Sequence, residues 1–408
     1  MSNTKKTILI TSGRAPVALE LARMFHRAGH RVVMAECLPT HLSRHSRSVS
    51  KNYLVPWPTK NPNEYQDEIA SIIETENVDL LVPTCEEIYF HSQFRDLLPD
   101  DCCWLISEWT QLHALHSKWE FVNLASQHEL AVPKTMLLTS RRDLEDALEQ
   151  EIWQVFKPVY SRFASEAIVC PQSNDELDEV YPGEDSPWVA QQFIKGQQVS
   201  TFGLAREGKL LAHATYPMNF TTGIGPTYAY EAMQHSGVLK WVQDFIWDLN
   251  FSGQIAFDFI IEEDGSVVAI ECNPRATSGL HLFRNRTDLV HAYLHGETPT
   301  GELLEPDSRP AHHGLPLLLW GLGFVRSWGE LKRWAAMLFR GRDVLFCWRD
   351  PLPICMLAWN LYPIFKRKRE YGVTIDQACT MDIEWNGVIE STEWSDDSPS
   401  LPKEQIQN

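Results

Sequence analysis

The stretch from residue 253 to residue 273 constrains the fold of this chain more than any other feature. Two runs of alternating apolar residues flank Asp264-Gly265, a dipeptide typical of two-residue type I′ hairpin turns. With such a turn, the numbers of facing residues add up to a constant, so Asp258 lies directly opposite Glu271. Strand side chains alternate between faces, which places Asn273 on the face of Glu271. The sequence therefore predicts a hairpin with two carboxylates and an amide on one face.

The other face of this hairpin is predicted to be buried. Phe257, Phe259, Ile261, Val268, Ile270 and Cys272 are expected there, whereas Ala256, Ile260, Val267 and Ala269 share the carboxylate face. A face with so many apolar neighbours is unlike an exposed acidic surface. Two buried carboxylates about 5 Å apart at their Cβ atoms repel each other, so they require a cation or a shared proton. Mg²⁺, bound by few carboxylates and by substrate phosphates, meets that requirement.

Composition and charge exclude several classes of protein. The 408-residue chain carries a net charge of −18, which argues against a nucleic-acid partner because nucleic-acid phosphates bind basic surfaces. Nine cysteines, an odd number without a C-x-x-C pair, indicate reduced thiols and a cytoplasmic protein rather than a disulfide framework or a zinc site. The N-terminal residues do not resemble a signal peptide, and no apolar run reaches the ~18 residues of a membrane-spanning helix.

The order of strand and helix patterns predicts several units of an α+β fold. Residues 1–112 open with a strand, a helix and a second strand, and they are expected to form an α/β domain. Residues 113–195 and 196–300 alternate strand pairs with helices and are expected to form two α+β lobes. A helical extension rich in Trp and Pro is expected at residues 301–390. Residues 391–408 hold little to bury and are expected to be a disordered tail.

At the end of the hairpin the sequence resembles a known family. Asp258, followed by Glu271-Cys272-Asn273-Pro274-Arg275, is similar to the metal-binding end of ATP-grasp enzymes. The resemblance covers roughly residues 5–300 and implies an ATP-grasp fold with a Rossmann-like pre-ATP-grasp domain. It also implies ATP and Mg²⁺ as cofactors, with Mn²⁺ as a substitute. A closer resemblance, to mycosporine-glycine synthase-like ATP-grasp enzymes, rests on residues 253–255, 271–275 and 350–353.

The same resemblance implies roles for further residues. It implies that the metal ligands are Asp258, Glu271 and Asn273, and that the catalytic residues are Arg275 and Lys157. The implied nucleotide contacts are Lys118, Lys157, Ser161, Arg162, Ser165, Gln191, Phe193, Ile194 and Gln198. Two features depart from the family pattern: the phosphate loop 159–165 lacks glycine, and Gln198 replaces a usual ribose-binding Glu. Residue type alone leaves another reading for Lys118 and Lys157, which is that of surface lysines.

The function implied is that of an ADP-forming C–N ligase of the carboxylate-amine or enol-amine type. Such an enzyme phosphorylates a small-molecule acceptor and joins it to an amine such as an amino acid. A kinase that stops at phosphoryl transfer and a regulatory nucleotide-binding protein are the alternatives. Aromatic residues followed by a basic cluster at 351–369 suggest contact with a membrane surface. Pro351, Pro353 and Pro363 are expected to break a long amphipathic helix, which favours a buried helix or a homodimer face instead.

Overall fold

The computed structural model describes residues 4–95, 98–99, 102–150, 152–161, 167–171, 173–178, 180–221 and 227–387. Of the predicted nucleotide contacts, Arg162 and Ser165 lie outside the described residues, as does the predicted tail 391–408. In the ranges described, no helix is long and apolar enough to cross a membrane. All nine cysteines are free thiols.

A five-stranded parallel sheet opens the chain, with the strand order β3-β2-β1-β4-β5. Its elements are β1 (Thr7–Thr11), α1 (Pro16–Arg27), β2 (Arg31–Glu36), β3 (Lys51–Leu54), α2 (Pro62–Glu76), β4 (Leu80–Val82), α3 (Glu87–Gln93), β5 (Cys103–Trp104) and α4 (Trp109–His116). Ile8 and Ile10 of β1 pack on the side of α1, and Leu9 packs on the side of α2. Helices therefore cover both faces, as the apolar strands require. The strand order reverses between β1 and β4, which opens a crevice at their carboxyl ends.

Two antiparallel sheets follow. The first has the order β6-β9-β7-β8, and the second has the order β11-β10-β13-β14. The elements of the first are α5 (Lys118–Gln127), β6 (Thr135–Leu138), α6 (Arg141–Leu148), β7 (Trp153–Pro158), β8 (Ile168–Val169), a 3₁₀ helix (Asn174–Leu177) and β9 (Trp188–Gln192). The elements of the second are β10 (Gln197–Arg206), β11 (Lys209–Pro217), β12 (Ala229–Tyr230), α7 (Ser236–Asp248), β13 (Gly253–Ile261) and β14 (Val267–Asn273), where β12 pairs outside this sheet.

An aromatic cluster holds α5 and α7 against the second antiparallel sheet. Phe121 of α5 and Phe245 of α7 meet edge to face at 5.8 Å between ring centroids. Trp241 of α7 contacts Phe257 and Phe259 of β13, each at 5.2 Å. Edge-to-face pairs of this kind contribute about 0.5–1.5 kcal/mol each beyond the burial of their area. The cluster fixes the strand whose opposite face carries Asp258.

Short strands and helices complete the described chain. They are a 3₁₀ helix (Ser278–Phe283), α8 (Thr287–His295), β15 (Ala311–His312), α9 (Gly314–Leu319), a 3₁₀ helix (Gly321–Phe324), α10 (Trp328–Arg340), β16 (Arg342–Asp343), α11 (Leu352–Cys355), α12 (Leu357–Tyr371) and α13 (Ile375–Thr380). Strands β12, β15 and β16 form a small separate sheet.

The C-terminal helices return to the first sheet. Asp382, fully buried, accepts hydrogen bonds from both terminal nitrogens of Arg14 at 2.6 Å and lies 3.0 Å from Arg367 of α12. Arg14 also pairs with Glu36 at the end of β2. Asp350 anchors the start of this segment by accepting from Arg23 of α1 at 2.9 Å. Ion pairs between residues more than 300 positions apart thus bind the two ends of the chain together.

The expectation that Pro363 breaks a helix is wrong. Helix α12 runs through Pro363 from Leu357 to Tyr371. A proline cannot donate to the carbonyl four residues earlier, which is that of Trp359. The hydroxyl of Thr40 donates to this carbonyl at 3.4 Å instead. A side chain from the loop between β2 and β3 therefore supplies the bond that the proline removes.

Candidate functional site

A cavity of about 710 Å³ opens where the sheets and the C-terminal helices meet. Its wall includes every predicted site residue within the described ranges. These are Lys118, Lys157, Ser161, Gln191, Phe193, Ile194, Gln198, Asp258, Glu271, Asn273 and Arg275. Residues up to 157 positions apart in sequence therefore share one space, an arrangement suited to a single extended ligand.

The hairpin at the centre of the cavity pairs Asp258 with Glu271, as predicted, but for a different reason. The turn is not a two-residue type I′ turn. Gly265 donates its N–H to the Glu262 carbonyl at 3.0 Å, Glu262 donates to Ser266 at 2.9 Å, and φ is positive at Gly265 but not at Asp264. The loop is thus one residue longer than predicted, and a bulge between Asp258 and Phe259 restores the pairing.

The bulge changes which residues of β14 share the face of the carboxylates. Ala269 pairs with Phe259 and is fully buried in the core, and Val267 packs against that core. Val268 pairs with Ile260, and Ile270 lines the cavity. The prediction that Val268 and Ile270 enter the core while Val267 and Ala269 share the carboxylate face was therefore wrong. An extra residue in one strand reverses the alternation on the turn side of the bulge.

The two carboxylates have opposite electrostatic surroundings. Burial, and secondly the charge of Glu271, raises the pKa of Asp258 to about 7. Burial also acts to raise the pKa of Glu271, but Lys118, Lys157 and Arg275 outweigh it and hold that pKa below its ordinary value. A cation between the two carboxylates would relieve their mutual repulsion. Oxygen ligands on facing strands fit a hard divalent cation, so the residues present suit Mg²⁺.

Ser200 and Tyr216 are residues of this site that sequence reasoning missed. Ser200 of β10 pairs in register with Asp258, and its side chain hydrogen-bonds the carboxylate. Tyr216 of β11 pairs with Ser200 and is buried at the cavity wall. Their position depends on the pairing of β10 with β13, and no local sequence pattern predicts that pairing.

Two buried lysines approach the carboxylates from the other side. Lys157 of β7 donates to the carbonyl of Ile270 at 3.2 Å. Ile270 lies at the bulge of β14. Burial lowers the pKa of Lys157 to about 8, although Glu271 opposes that change. Lys118 begins α5 and donates to the carbonyl and the hydroxyl of Ser161, each at 3.1 Å. Both lysines are more than nine-tenths buried, so the structure excludes the interpretation that they are surface residues.

The end of β9 and the two residues after it border the cavity. The Gln191 side chain donates to Thr135 at 3.1 Å and is buried, whereas Phe193 is largely exposed. Gly196 passes close to β13, where a Cβ atom would lie 2.2 Å from the Ile261 carbonyl oxygen. Glycine at this position lets the chain turn from one sheet into the other.

Arg275 lies beyond Asn273 at the far side of the carboxylates. One terminal nitrogen donates to Asn273 Oδ1 at 3.0 Å, and Nε lies 3.7 Å from Glu86. Asn273 in turn donates weakly to Glu271 at 3.5 Å. This chain of contacts holds a planar guanidinium beside the carboxylate pair, which suits binding of phosphate or carboxylate oxygens.

Comparison with known families agrees with this geometry. A family model described as an ATP-grasp domain matches residues 115–279, which contain both lysines, both carboxylates and Arg275. Residues 115–279 thus form an ATP-grasp domain. The closer resemblance to mycosporine-glycine synthase-like enzymes stays a prediction. No curated protein matches the sequence.

Solved structures share the ATP-grasp fold across most of their length. N5-carboxyaminoimidazole synthetase from Staphylococcus aureus is 13% identical, with 79% of this chain and 87% of that chain covered and a TM-score of 0.61. L-amino acid ligase from Bacillus licheniformis is 16% identical, with 73% and 76% covered and a TM-score of 0.58. Carboxyaminoimidazole ribonucleotide synthase from Aspergillus clavatus, solved with ATP, is 12% identical, with 76% and 81% covered and a TM-score of 0.59.

One part of the ATP-grasp cavity wall, here called the apolar end, is mostly apolar. It is lined by residues of α12 and the chain after α13 together with residues of the first domain, among them Leu42, Leu357, Leu361, Ile364 and Ile383. Asn360 of α12 also lines it, is 3% exposed, and finds no hydrogen-bond partner for its amide oxygen or nitrogen among the residues that the structure describes. Arg14 lines this end too, but both its terminal nitrogens are taken by carboxylates.

A second group of acidic and sulfur ligands lies in the same region. Glu36, Cys37 and Asp382 bring one potential ligand atom each within 4.8 Å of one another. Arg14 already occupies both carboxylates, and the Cys37 thiol donates to the Pro56 carbonyl at 3.1 Å. Burial also raises the pKa of Cys37 well above its ordinary value, so it stays a thiol. This cluster is an ion-pair network rather than a metal site.

Proposed function

We propose that the protein is an ADP-forming ligase that uses Mg-ATP to phosphorylate a small acceptor and then joins this acceptor to an amine. The observation that carries the proposal is the single cavity in which two buried lysines, the Asp258–Glu271 pair and Arg275 meet within an ATP-grasp domain. Charge balance supports it, because two buried lysines, the partly buried Arg275 and two carboxylates suit a polyanion that arrives with a divalent cation.

In this proposal the adenine lies against the segment from Gln191 to Ile194, and the ribose lies near Gln198. Lys118 and Lys157 bind phosphate oxygens. The lowered pKa of Lys157 supports this role, because burial disfavours its charged form in spite of Glu271, and a bound phosphate would favour that form. Ser161 accepts from Lys118 and so positions its ammonium group.

Asp258, Glu271 and Asn273 are proposed to hold Mg²⁺ or Mn²⁺ against the terminal phosphates. The metal would neutralise charge that develops on the phosphoryl group. Ser200 orients the Asp258 carboxylate through its hydrogen bond. Arg275, held by Asn273 and Glu86, would bind the phosphorylated acceptor while the amine attacks.

A product assay separates the ligase from a kinase. The protein is incubated with ATP, Mg²⁺ and a panel of carboxylic and enol acceptors, with and without amino acids, and nucleotides are resolved by chromatography. A ligase gives ADP whose formation rises with the amine, together with a coupled product. ADP formed at the same rate without amine, with a stable phosphorylated acceptor, indicates the kinase. AMP as the main product contradicts both.

Replacing Lys157 by Ala is expected to weaken ATP binding by about 1.5–3 kcal/mol, the range of a charge-assisted hydrogen bond. Affinity is measured by calorimetric titration, with Lys195→Ala, an exposed lysine beside the same cavity, as the control. Because Lys157 is charged below its pKa of about 8, wild-type affinity should fall as the pH rises through 8. The variant should lack that step. Unchanged affinity and an unchanged pH profile would limit Lys157 to its bond with Ile270.

The acceptor is proposed to occupy the apolar end of the cavity, with Asn360 binding a polar group on it. Asn360→Leu should lower kcat/KM for the acceptor by about fivefold, since one hydrogen bond contributes about 1 kcal/mol. The same change should leave stability equal or higher, because it removes a buried amide without partners. Asn285→Leu, at an exposed position, is the control. Loss of stability without a change in kcat/KM would assign Asn360 a structural role only.

A further inference from the structure

Residues 314–371, here called the docking segment, differ in charge and surface from the rest of the protein. The segment contains ten Lys and Arg residues against four Asp and Glu residues, a net charge of +6 in a chain whose total is −18. Of the 20 large apolar side chains that are exposed among the described residues, 14 lie in these 58 positions. Such a concentration of exposed apolar surface marks an interaction site.

Helix α10 and the segment before it bury very little. Between residues 314 and 340 only Gly314, Leu317, Gly321 and Met337 are buried. Trp328 and Phe339 are 78% and 79% exposed, and with Lys332 they recur at helical spacing along one stripe of α10. Leucine and aromatic side chains of α9 and the following 3₁₀ helix extend this exposed surface.

Helix α12 has two faces with separate roles. Leu357, Asn360, Leu361 and Ile364 line the cavity. On the other side, at 100° per residue, Trp359, Tyr362, Phe365, Lys366 and Arg369 form one exposed face. The rings of Trp359 and Tyr362 stack with their centroids 6.4 Å apart. Arg367 belongs to the same basic run, residues 366–369, but it does not join this face, because it is buried against Asp382.

We propose that the docking segment binds an anionic phospholipid surface. Exposed Trp, Tyr and Phe beside Lys and Arg are the side chains that settle at the boundary between headgroups and acyl chains. The positive charge of the segment complements anionic headgroups, while the acidic remainder of the chain is repelled from them. A symmetric contact between two copies would bring two basic segments together, which like-charge repulsion opposes.

The placement of α12 connects this surface with the ATP-grasp cavity. Its aromatic face turns to the lipid while its opposite face lines the acceptor end, and a helix is about 10–12 Å across. Docking therefore brings the headgroup layer to within one helix of the apolar end of the cavity. An acceptor with an apolar body would gain a short path from the lipid surface.

The test is cosedimentation of the full chain with vesicles. Vesicles of phosphatidylcholine mixed with phosphatidylglycerol are compared with vesicles of phosphatidylcholine alone, at low and high salt. We expect binding to the anionic vesicles that weakens with salt. The triple variant Lys366→Glu, Lys368→Glu, Arg369→Glu should weaken binding by roughly a hundredfold or more, since each basic residue near the surface contributes about tenfold or less. The double variant Trp328→Ala with Phe339→Ala should weaken binding to the anionic vesicles at low salt and at high salt.

Matched controls lie outside the docking segment. Trp247→Ala changes a tryptophan on α7 that is 72% exposed, and Lys195→Glu reverses an exposed charge. Neither should change vesicle binding, and all variants should keep the wild-type circular dichroism spectrum and ATP affinity. Absence of binding to anionic vesicles would overturn the proposal, as would equal binding by the triple variant. Self-association in sedimentation velocity that is lost in Trp328→Ala with Phe339→Ala, without vesicle binding, would assign the face to a second copy. Binding to polyglutamate but not to vesicles would assign it to an acidic protein.

Discussion

Asp258→Ala and Glu271→Ala are each expected to lower ATP turnover by roughly a thousandfold or more. Loss of one of two carboxylates removes a ligand of the proposed divalent cation, which supplies several kcal/mol of charge stabilisation. Folding should survive both changes. Asp258→Ala should even stabilise the protein without nucleotide, because burial and repulsion from Glu271 disfavour the ionised form of Asp258.

Turnover is measured as ADP release, and stability as the midpoint of urea unfolding. Glu263→Ala, at the exposed turn of the same hairpin, is the matched control and should keep wild-type values of both. Near-normal turnover in both carboxylate variants would show that the pair does not hold the metal. A large fall in stability for both would indicate a role in folding instead.

The second large effect is expected at Asp382. Asp382→Ala leaves Arg14 and Arg367 buried without their shared counter-charge, and breaking a buried pair in this way destabilises a protein by about 3–5 kcal/mol. Asp376→Ala, at an exposed position in α13, is the control and should change stability by well under 1 kcal/mol. The measurement is urea unfolding, with limited proteolysis to locate release of the C-terminal helices. A loss below 1 kcal/mol for Asp382→Ala would contradict the proposed role of this network.

Lowering the pH should weaken the contribution of the same ion-pair network to stability. Burial tends to raise the pKa of Glu36, but Arg14 overcomes this and holds the pKa at about 2, below its ordinary 4.5. A carboxylate with a depressed pKa stabilises the folded state fully above its unfolded pKa. That contribution is lost as the pH falls from 4.5 towards 2. Glu36→Gln should therefore lose stability relative to wild type at neutral pH and approach it in acid.

The hairpin shows both the reach and the limits of sequence reasoning. The assumed two-residue turn at Asp264-Gly265 predicted that Asp258 faces Glu271, and the two residues do pair. The predicted turn was one residue too short, and the error was hidden because a bulge restores the pairing further along β14. Bulges leave little trace in residue types. The sequence therefore could not predict which face of the hairpin Val267, Val268, Ala269 and Ile270 lie on.

Long-range contacts account for the remaining gaps. Ser200 joins the site through pairing between strands that are about 50 residues apart, and Asn360 joins it because ion pairs draw α12 onto the first domain. Neither position carries a local motif. Lys118, Lys157 and Arg275 could be predicted, since Lys118 begins a helix, Lys157 lies at the end of a strand and Arg275 follows one, each in a pattern that resembles ATP-grasp enzymes. Motif residues could thus be predicted, and the residues that tertiary packing adds to them could not.

The central claim is that this cavity binds a nucleotide together with a divalent cation. A crystal structure with a non-hydrolysable ATP analogue and Mn²⁺, with anomalous data that locate manganese, tests it without knowledge of the acceptor. The account predicts manganese between Asp258 and Glu271, phosphates at Lys118 and Lys157, and adenine against the segment from Gln191 to Ile194. Manganese at the Glu36–Asp382 cluster, or a nucleotide bound outside this cavity, would contradict it.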